Sequence, residues 1–150
     1  TTLTVIQPSA IQFMNVLTTP TSCFGENDGT AAVAANGGNG GFSYLWSNGG
    51  MTSSTSQLLA GNHVVTATDS RGCQDSLIVN IQQPSELLIT SIDINHVTCF
   101  NAADGEATAF SNENNITYQW LPTNQTTATA TNLTTGQHIV ILTQYVKKTK

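Results

Sequence analysis

Chemistry in this 150-residue chain would have to start from nine carboxylates, three histidines, three cysteines and four cations. The densest polar grouping is Glu26-Asn27-Asp28, and with Asp69 it could offer Ca²⁺ several hard oxygens. The simpler reading is an Asx turn, in which Asp28 bonds its own backbone ahead of Gly29. A second, similar stretch keeps Asp104 but carries Ala102 for Glu26 and Gln144 for Asp69, and a shared Ca²⁺ site would not shed those charges. No cofactor is therefore expected, with Ca²⁺ at Glu26, Asp28 and Asp69 as the alternative. His63 and His138 open equivalent strands, which suggests structural positions, and His96 aligns with Pro20 and is expected to be exposed. No Gly-x-Ser-x-Gly elbow, phosphate loop or His-Glu-x-x-His occurs. No Lys lies within a strand core to form an isopeptide bond. The sequence predicts no enzyme.

These side chains sit in a duplicated framework. Ser22-Cys23-Phe24-Gly25-Glu26-Asn27-Asp28-Gly29-Thr30-Ala31 returns as Thr98-Cys99-Phe100-Asn101-Ala102-Ala103-Asp104-Gly105-Glu106-Ala107, at an offset of 76. Gln7-Pro8-Ser9 matches Gln83-Pro84-Ser85 at the same offset, and Tyr44-x-Trp46 matches Tyr118-x-Trp120 at 74. Leu58-x-x-Gly61-x-His63 matches Leu133-x-x-Gly136-x-His138 at 75. Insertions of one or two residues fall in Gly- and Asn-rich segments, where loops absorb them. The chain therefore divides into residues 1–8, the last strand of a preceding repeat; 9–84, a complete repeat; and 85–150, an incomplete one.

Charged residues are 9%, against roughly 25% in ordinary globular chains. Hydrophobic residues at 39% and two Trp exclude the composition of a disordered chain. Net charge is −5, and three of the four cations are Lys147, Lys148 and Lys150, so Arg71 stands alone in the rest of the chain. Such a field repels phosphate backbones, and nucleic acid is not expected as a partner. No apolar run approaches 18 residues, so no membrane insertion is expected. The opening residues carry no signal-peptide pattern, so any secretion signal is expected outside this segment.

The elements that must position these residues read as short strands between turns. Ile11 to Pro20, Thr30 to Ala35, Phe42 to Trp46, Thr52 to Leu59, His63 to Thr68 and Ser76 to Gln82 are the expected strands of the first repeat. Asn36 to Gly41, Ser47 to Gly50 and Asp69 to Gly72 break them with residues that readily take positive φ. Phe42, Tyr44 and Trp46 fall on one face, and Leu77, Val79 and Ile81 on another. No helical periodicity is sustained. About seven short strands per repeat predict an all-β chain of two tandem immunoglobulin-like β-sandwiches, the second lacking its last strand. Trp46 and Trp120 are then expected as core residues rather than as sugar-stacking platforms.

Cys-Phe-Gly-x-Asn-Asp-Gly-Thr-Ala, the Gly-rich break, Tyr-x-Trp-Ser-Asn-Gly, Leu-x-Ala-Gly, Val-x-Ala-Thr-Asp-x-x-Gly-Cys and a closing Gln-Pro together resemble the SprB-type repeat. That repeat occurs in cell-surface adhesins of gliding Bacteroidetes. The second copy departs from the pattern, with Asn101-Ala102-Ala103 early and Gln144-Tyr145-Val146-Lys147-Lys148 where Asp-x-x-Gly-Cys is expected. The resemblance implies an extracellular stalk or adhesive array, exported by a type IX route. Its odd cysteine count leaves one over. Cys23 and Cys73 flank loop ends of the complete repeat, and a bridge between them would close a ~50-residue loop and stabilise by roughly 4 kcal/mol. Cys99 lacks the partner position and reads as a free thiol; a metal site has no Cys-x-x-Cys or nearby His to support it. Asp75-Ser76-Leu77 resembles the O-glycosylation motif of these bacteria, which marks Ser76.

Three functional readings follow. The adopted one is a structural and adhesive repeat whose partners are neighbouring repeats, other copies of itself, or surface glycans. The others are a carbohydrate-binding module and a self-assembling filament subunit. The filament reading rests on Leu3 and Val5, which align at offset 76 with Val79 and Ile81 and so form a candidate donor strand.

Overall fold

The computed structural model describes residues 2–144 and divides into two compact units, Thr1–Ser85 and Glu86–Lys150. The first unit contains β1 (Gln12–Thr19), β2 (Gly29–Asn36), β3 (Ser43–Trp46), β4 (Ser54–Leu58), β5 (Gly61–Thr68) and β6 (Gln74–Ile81). The second contains β7 (Ile89–Asn95), β8 (Gly105–Ser111), β9 (Ile116–Leu121), β10 (Thr129–Leu133) and β11 (Ile139–Gln144). No helix forms among the described residues.

In the first unit, antiparallel sheets ordered β1-β2-β4 and β3-β5-β6 face each other across one core. β2 places Ala31 and Val33 inward at alternate positions, as the two-residue period of a strand requires. Trp46 from the other sheet fills the space these small side chains leave, joined by Leu58, Val65, Val79 and Ile81. The indole N–H of Trp46 donates to Thr52 O at 2.9 Å, which satisfies its polar edge within the core. The unit has six strands rather than about seven.

The second unit repeats five of the six. Sheets ordered β10-β8-β7 and β11-β9 enclose Ala107, Ala109, Trp120, Ala130 and Leu133. Trp120 again donates its indole N–H, here to Thr127 O at 2.9 Å. β5 lies between two neighbours, whereas β11 pairs with β9 and has no strand on its other edge among the described residues. Residues 145–148, which replace the expected Asp-x-x-Gly-Cys ending, lie outside the described residues. Residues 2–10 precede the first ladder and belong to no strand.

Candidate functional site

One end of each sandwich carries the Cys-Phe loop. In the first unit the Ser22 backbone N–H donates to Asp28 Oδ1 at 2.8 Å, and Glu26 N–H donates to Cys23 O at 3.3 Å. Asp28 therefore closes the loop on a residue six positions back. In the second unit Thr98 N–H donates to Asp104 Oδ1 at 3.1 Å and Ala102 N–H to Cys99 O at 3.0 Å. The Thr98 hydroxyl and then its backbone N–H hold the Asp104 carboxyl below the usual range. Gly25 has φ 75°, and Asn101 supplies the same left-handed turn at φ 63°. The first loop is also tied to the chain leaving β6, through Thr21 N–H to Gln82 O at 3.0 Å and Gly25 N–H to Gln83 Oε1 at 3.1 Å. Phe24 is 48% exposed beside these ties, and Phe100, without them, is 95% exposed.

The opposite end of the first sandwich is organised by Asp69, which is buried. Its carboxylate accepts hydrogen bonds from the Asn39 side chain at 2.8 Å and from the backbone N–H groups of Asn39, Arg71 and Cys73 at 2.9 Å each. The Asn39 amide, followed by those backbone donors, holds the carboxyl far below its ordinary value against the opposing effect of burial. Gly38 has φ 52°, and a Cβ there would come within 2.8 Å of Asp69 Oδ2, so this corner needs glycine.

These placements correct the expected bridge and separate the alternative Ca²⁺ ligands. All three cysteines are exposed free thiols, and the Cys23–Cys73 bridge does not form. Cys23 sits at the end where β6 finishes, and Cys73 immediately precedes its first residue. The eight residues of β6 separate them by roughly 26 Å at about 3.3 Å per residue, whereas a bridge needs Cα atoms within about 7 Å. The same separation divides Glu26 and Asp28 from Asp69, so the three do not form one Ca²⁺ site. No group of three or more His, Cys, Asp or Glu is arranged to hold a metal among the described residues.

The remaining predicted residues fall as follows. Trp46 and Trp120 are each 2% exposed. His63 Nε2 meets Leu59 O at 2.9 Å and His138 Nε2 meets Thr134 O at 2.9 Å, the same strand-opening contact in both units. His96 is exposed. Ser76 is exposed on β6, its hydroxyl 2.9 Å from that of Thr66 across the ladder. Leu3 and Val5 are 91% and 89% exposed.

A feature that motif reading did not find lies in the second unit. A cavity of about 670 Å³ runs between β7 and β11, walled by Ile92, Ile94, Val97, Trp120, Leu133 and Val140. His138 also lines it, and its Nδ1 is buried without a hydrogen-bond partner. In the first unit β6 pairs with β5 and packs its Val79 and Ile81 into the corresponding core. The related signal in the sequence is the replaced Asp-x-x-Gly-Cys ending after Thr143, but the cavity shows only once the neighbouring strands are placed.

The fold and the repeated loops define a tandem array of β-sandwiches. Residues 15–51, spanning most of β1, the Cys-Phe loop, β2, β3 and the turn that follows, match the SprB repeat family, and the first unit therefore contains an SprB-type repeat. That repeat is associated with cell-surface proteins. No curated protein matches the chain.

Proposed function

We propose that the chain is a structural and adhesive segment of an extracellular surface array, in which successive sandwiches space or present binding surfaces. The observation that supports this most is the SprB-type repeat within a duplicated sandwich. In this reading the chain has no catalytic role, needs no cofactor, and reaches the cell surface by a type IX-like route. Its contacts are with adjacent repeats and with the surfaces to which cells attach. The carbohydrate-module reading has less support, because both Trp side chains are buried and cannot stack on a sugar.

Protease treatment of intact producing cells, followed by immunodetection of this segment, tests the placement; survival of the segment until lysis would contradict it. Beads coated with the purified chain test adhesion. Retention on surfaces that the cells colonise supports the adhesive role, and retention equal to that of albumin-coated beads would leave only a spacing role. Selective binding on a glycan array would favour the carbohydrate module instead.

A further inference from the structure

We propose that Asn36 is a self-modifying site, whose side-chain amide is lost in the folded chain by attack of the Gly37 backbone nitrogen. The fold restrains the same reaction at Asn39 and Asn48. The inference stands independently of the adhesive role. Asn-Gly steps occur at Asn36-Gly37, Asn39-Gly40 and Asn48-Gly49, all in the first unit. Glycine puts no Cβ in the way of the attacking nitrogen, so residue types alone make the three steps equivalent.

The reaction needs only water. The Gly37 nitrogen bonds to Asn36 Cγ as the Cγ–Nδ2 bond breaks, and Nδ2 leaves as ammonia with the Gly37 amide proton. Water then opens the resulting cyclic imide at either carbonyl carbon. Opening at Cγ gives aspartate; opening at the backbone carbon gives isoaspartate, whose main chain runs through Cγ. The sum is water in and ammonia out, with nothing oxidised or reduced.

Cyclisation requires an amide free to swing and a glycine nitrogen not already held, and the three steps differ in both. Asn48 Nδ2 donates to Thr55 Oγ1 at 2.9 Å and Ser56 O at 3.1 Å, and its Oδ1 accepts from Gly50 N–H at 3.2 Å. The Gly49 N–H is itself engaged, donating to Trp46 O at 2.8 Å. Asn39 is fastened to the buried Asp69 through its Nδ2 at 2.8 Å and its backbone N–H at 2.9 Å, and Gly40 N–H reaches Gly37 O at 3.4 Å. Asn36 is exposed, and neither its side chain nor the Gly37 N–H makes a hydrogen bond among the described residues. The consequence reaches Asp69. Gly37 has φ 81°, a Cβ there would collide with Ala10 O, and Gly38 N–H donates to Ser9 O at 2.9 Å. The extra main-chain carbon of isoaspartate enters just ahead of this close-packed turn, which carries Gly38 and Asn39 against the Asp69 carboxylate. Conversion thus adds a negative charge and loosens the Asp69 corner.

The test ages the full chain at neutral pH, folded and in urea, and follows it by site-resolved mass mapping and isoaspartyl methyltransferase labelling. In urea the three steps should convert at similar rates. In the folded chain Asn36 should lead, with Asn39 and Asn48 at least about tenfold slower, the factor that roughly 1.4 kcal/mol of retained hydrogen bonding gives. Early labelling should map to residue 36 and vanish in Asn36→Gln. The aged chain should exchange the Gly38 and Asn39 amides faster than the fresh one. Asn36→Asp, which carries the charge without the added carbon, should not. A folded chain in which Asn36 converts no faster than Asn39 or Asn48 overturns the proposal. So does conversion of residue 36 without isoaspartate, because direct hydrolysis of the amide cannot form it. Asn36 leading equally in urea would place the difference in the sequence and overturn the restraint by the fold. Unchanged exchange after conversion would overturn the link to Asp69.

Discussion

The two units follow one plan up to their fifth strands and differ at the sixth. In the first, β6 completes the β3-β5-β6 sheet, contributes Val79 and Ile81 to the core, and delivers Gln82 and Gln83 to the Cys-Phe loop. In the second, no described strand takes that place, the core side of β11 opens into a cavity, and Phe100 is almost fully exposed. A single strand thus does three jobs at once: it covers an edge, fills a core and fastens a loop.

The largest expected effects lie at the two Trp residues. Trp46→Ala should cost about 3–5 kcal/mol, as for other buried aromatic truncations. Trp120 then remains as the reporter of the second unit, and its emission should stay blue-shifted while the first unit's strands lose amide protection. Trp120→Ala should do the reverse. Loss of both units together in either variant would show that they do not fold as separate cores.

Next in size, Ile81→Ala should destabilise the first unit by about 2–5 kcal/mol in urea unfolding. Truncating Ile141 on β11, which is 43% exposed, should cost well under that. Equal losses would contradict the assignment of β6 as a strand with no counterpart among the described residues of the second unit.

Acid should separate the units through Asp69. Its carboxyl pKa is depressed in the folded state, so its stabilisation is present above the unfolded value near 4 and is lost as pH falls toward the folded value. Asp69→Asn should therefore lower the first unit's stability at neutral pH, with the gap to wild type closing as pH drops below about 4. A gap that widens in acid would reverse the sign and refute the role. The smallest effect is expected at Gln83→Ala, which removes one exposed hydrogen bond to Gly25 and should cost about 0.5–1 kcal/mol or less. Its signature is faster exchange of the Gly25 amide.

The all-β class, the strand positions from β1 onward and both core Trp were legible because each follows from local pattern: alternation, Gly- and Asn-rich turns, and a repeat that shows the pattern twice. Which end of the sandwich each loop occupies was not. Counting strands as alternating up and down would put Cys23 and Cys73 at the same end. β3 and β4 are only four and five residues long, and they run in the same sense on opposite sheets. Together they span the sandwich once instead of twice, which sends Asp69 and Cys73 to the far end from Cys23 and Asp28. Nothing in residue spacing distinguishes two half-strands from two whole ones. The expected bridge fails, and the alternative Ca²⁺ ligands are separated, for that one reason. Labelling with a thiol reagent without denaturant should accordingly modify Cys23, Cys73 and Cys99 alike.

The two units share one sandwich plan, and the sixth strand of the first has no counterpart among the described residues of the second. Hydrogen exchange of the chain, with and without a peptide of residues 74–83, tests this. The peptide should slow exchange at Gly136 to Val140 and leave Gly61 to Val65 unchanged. No slowing at Gly136 to Val140, or equal slowing at both edges, would contradict it.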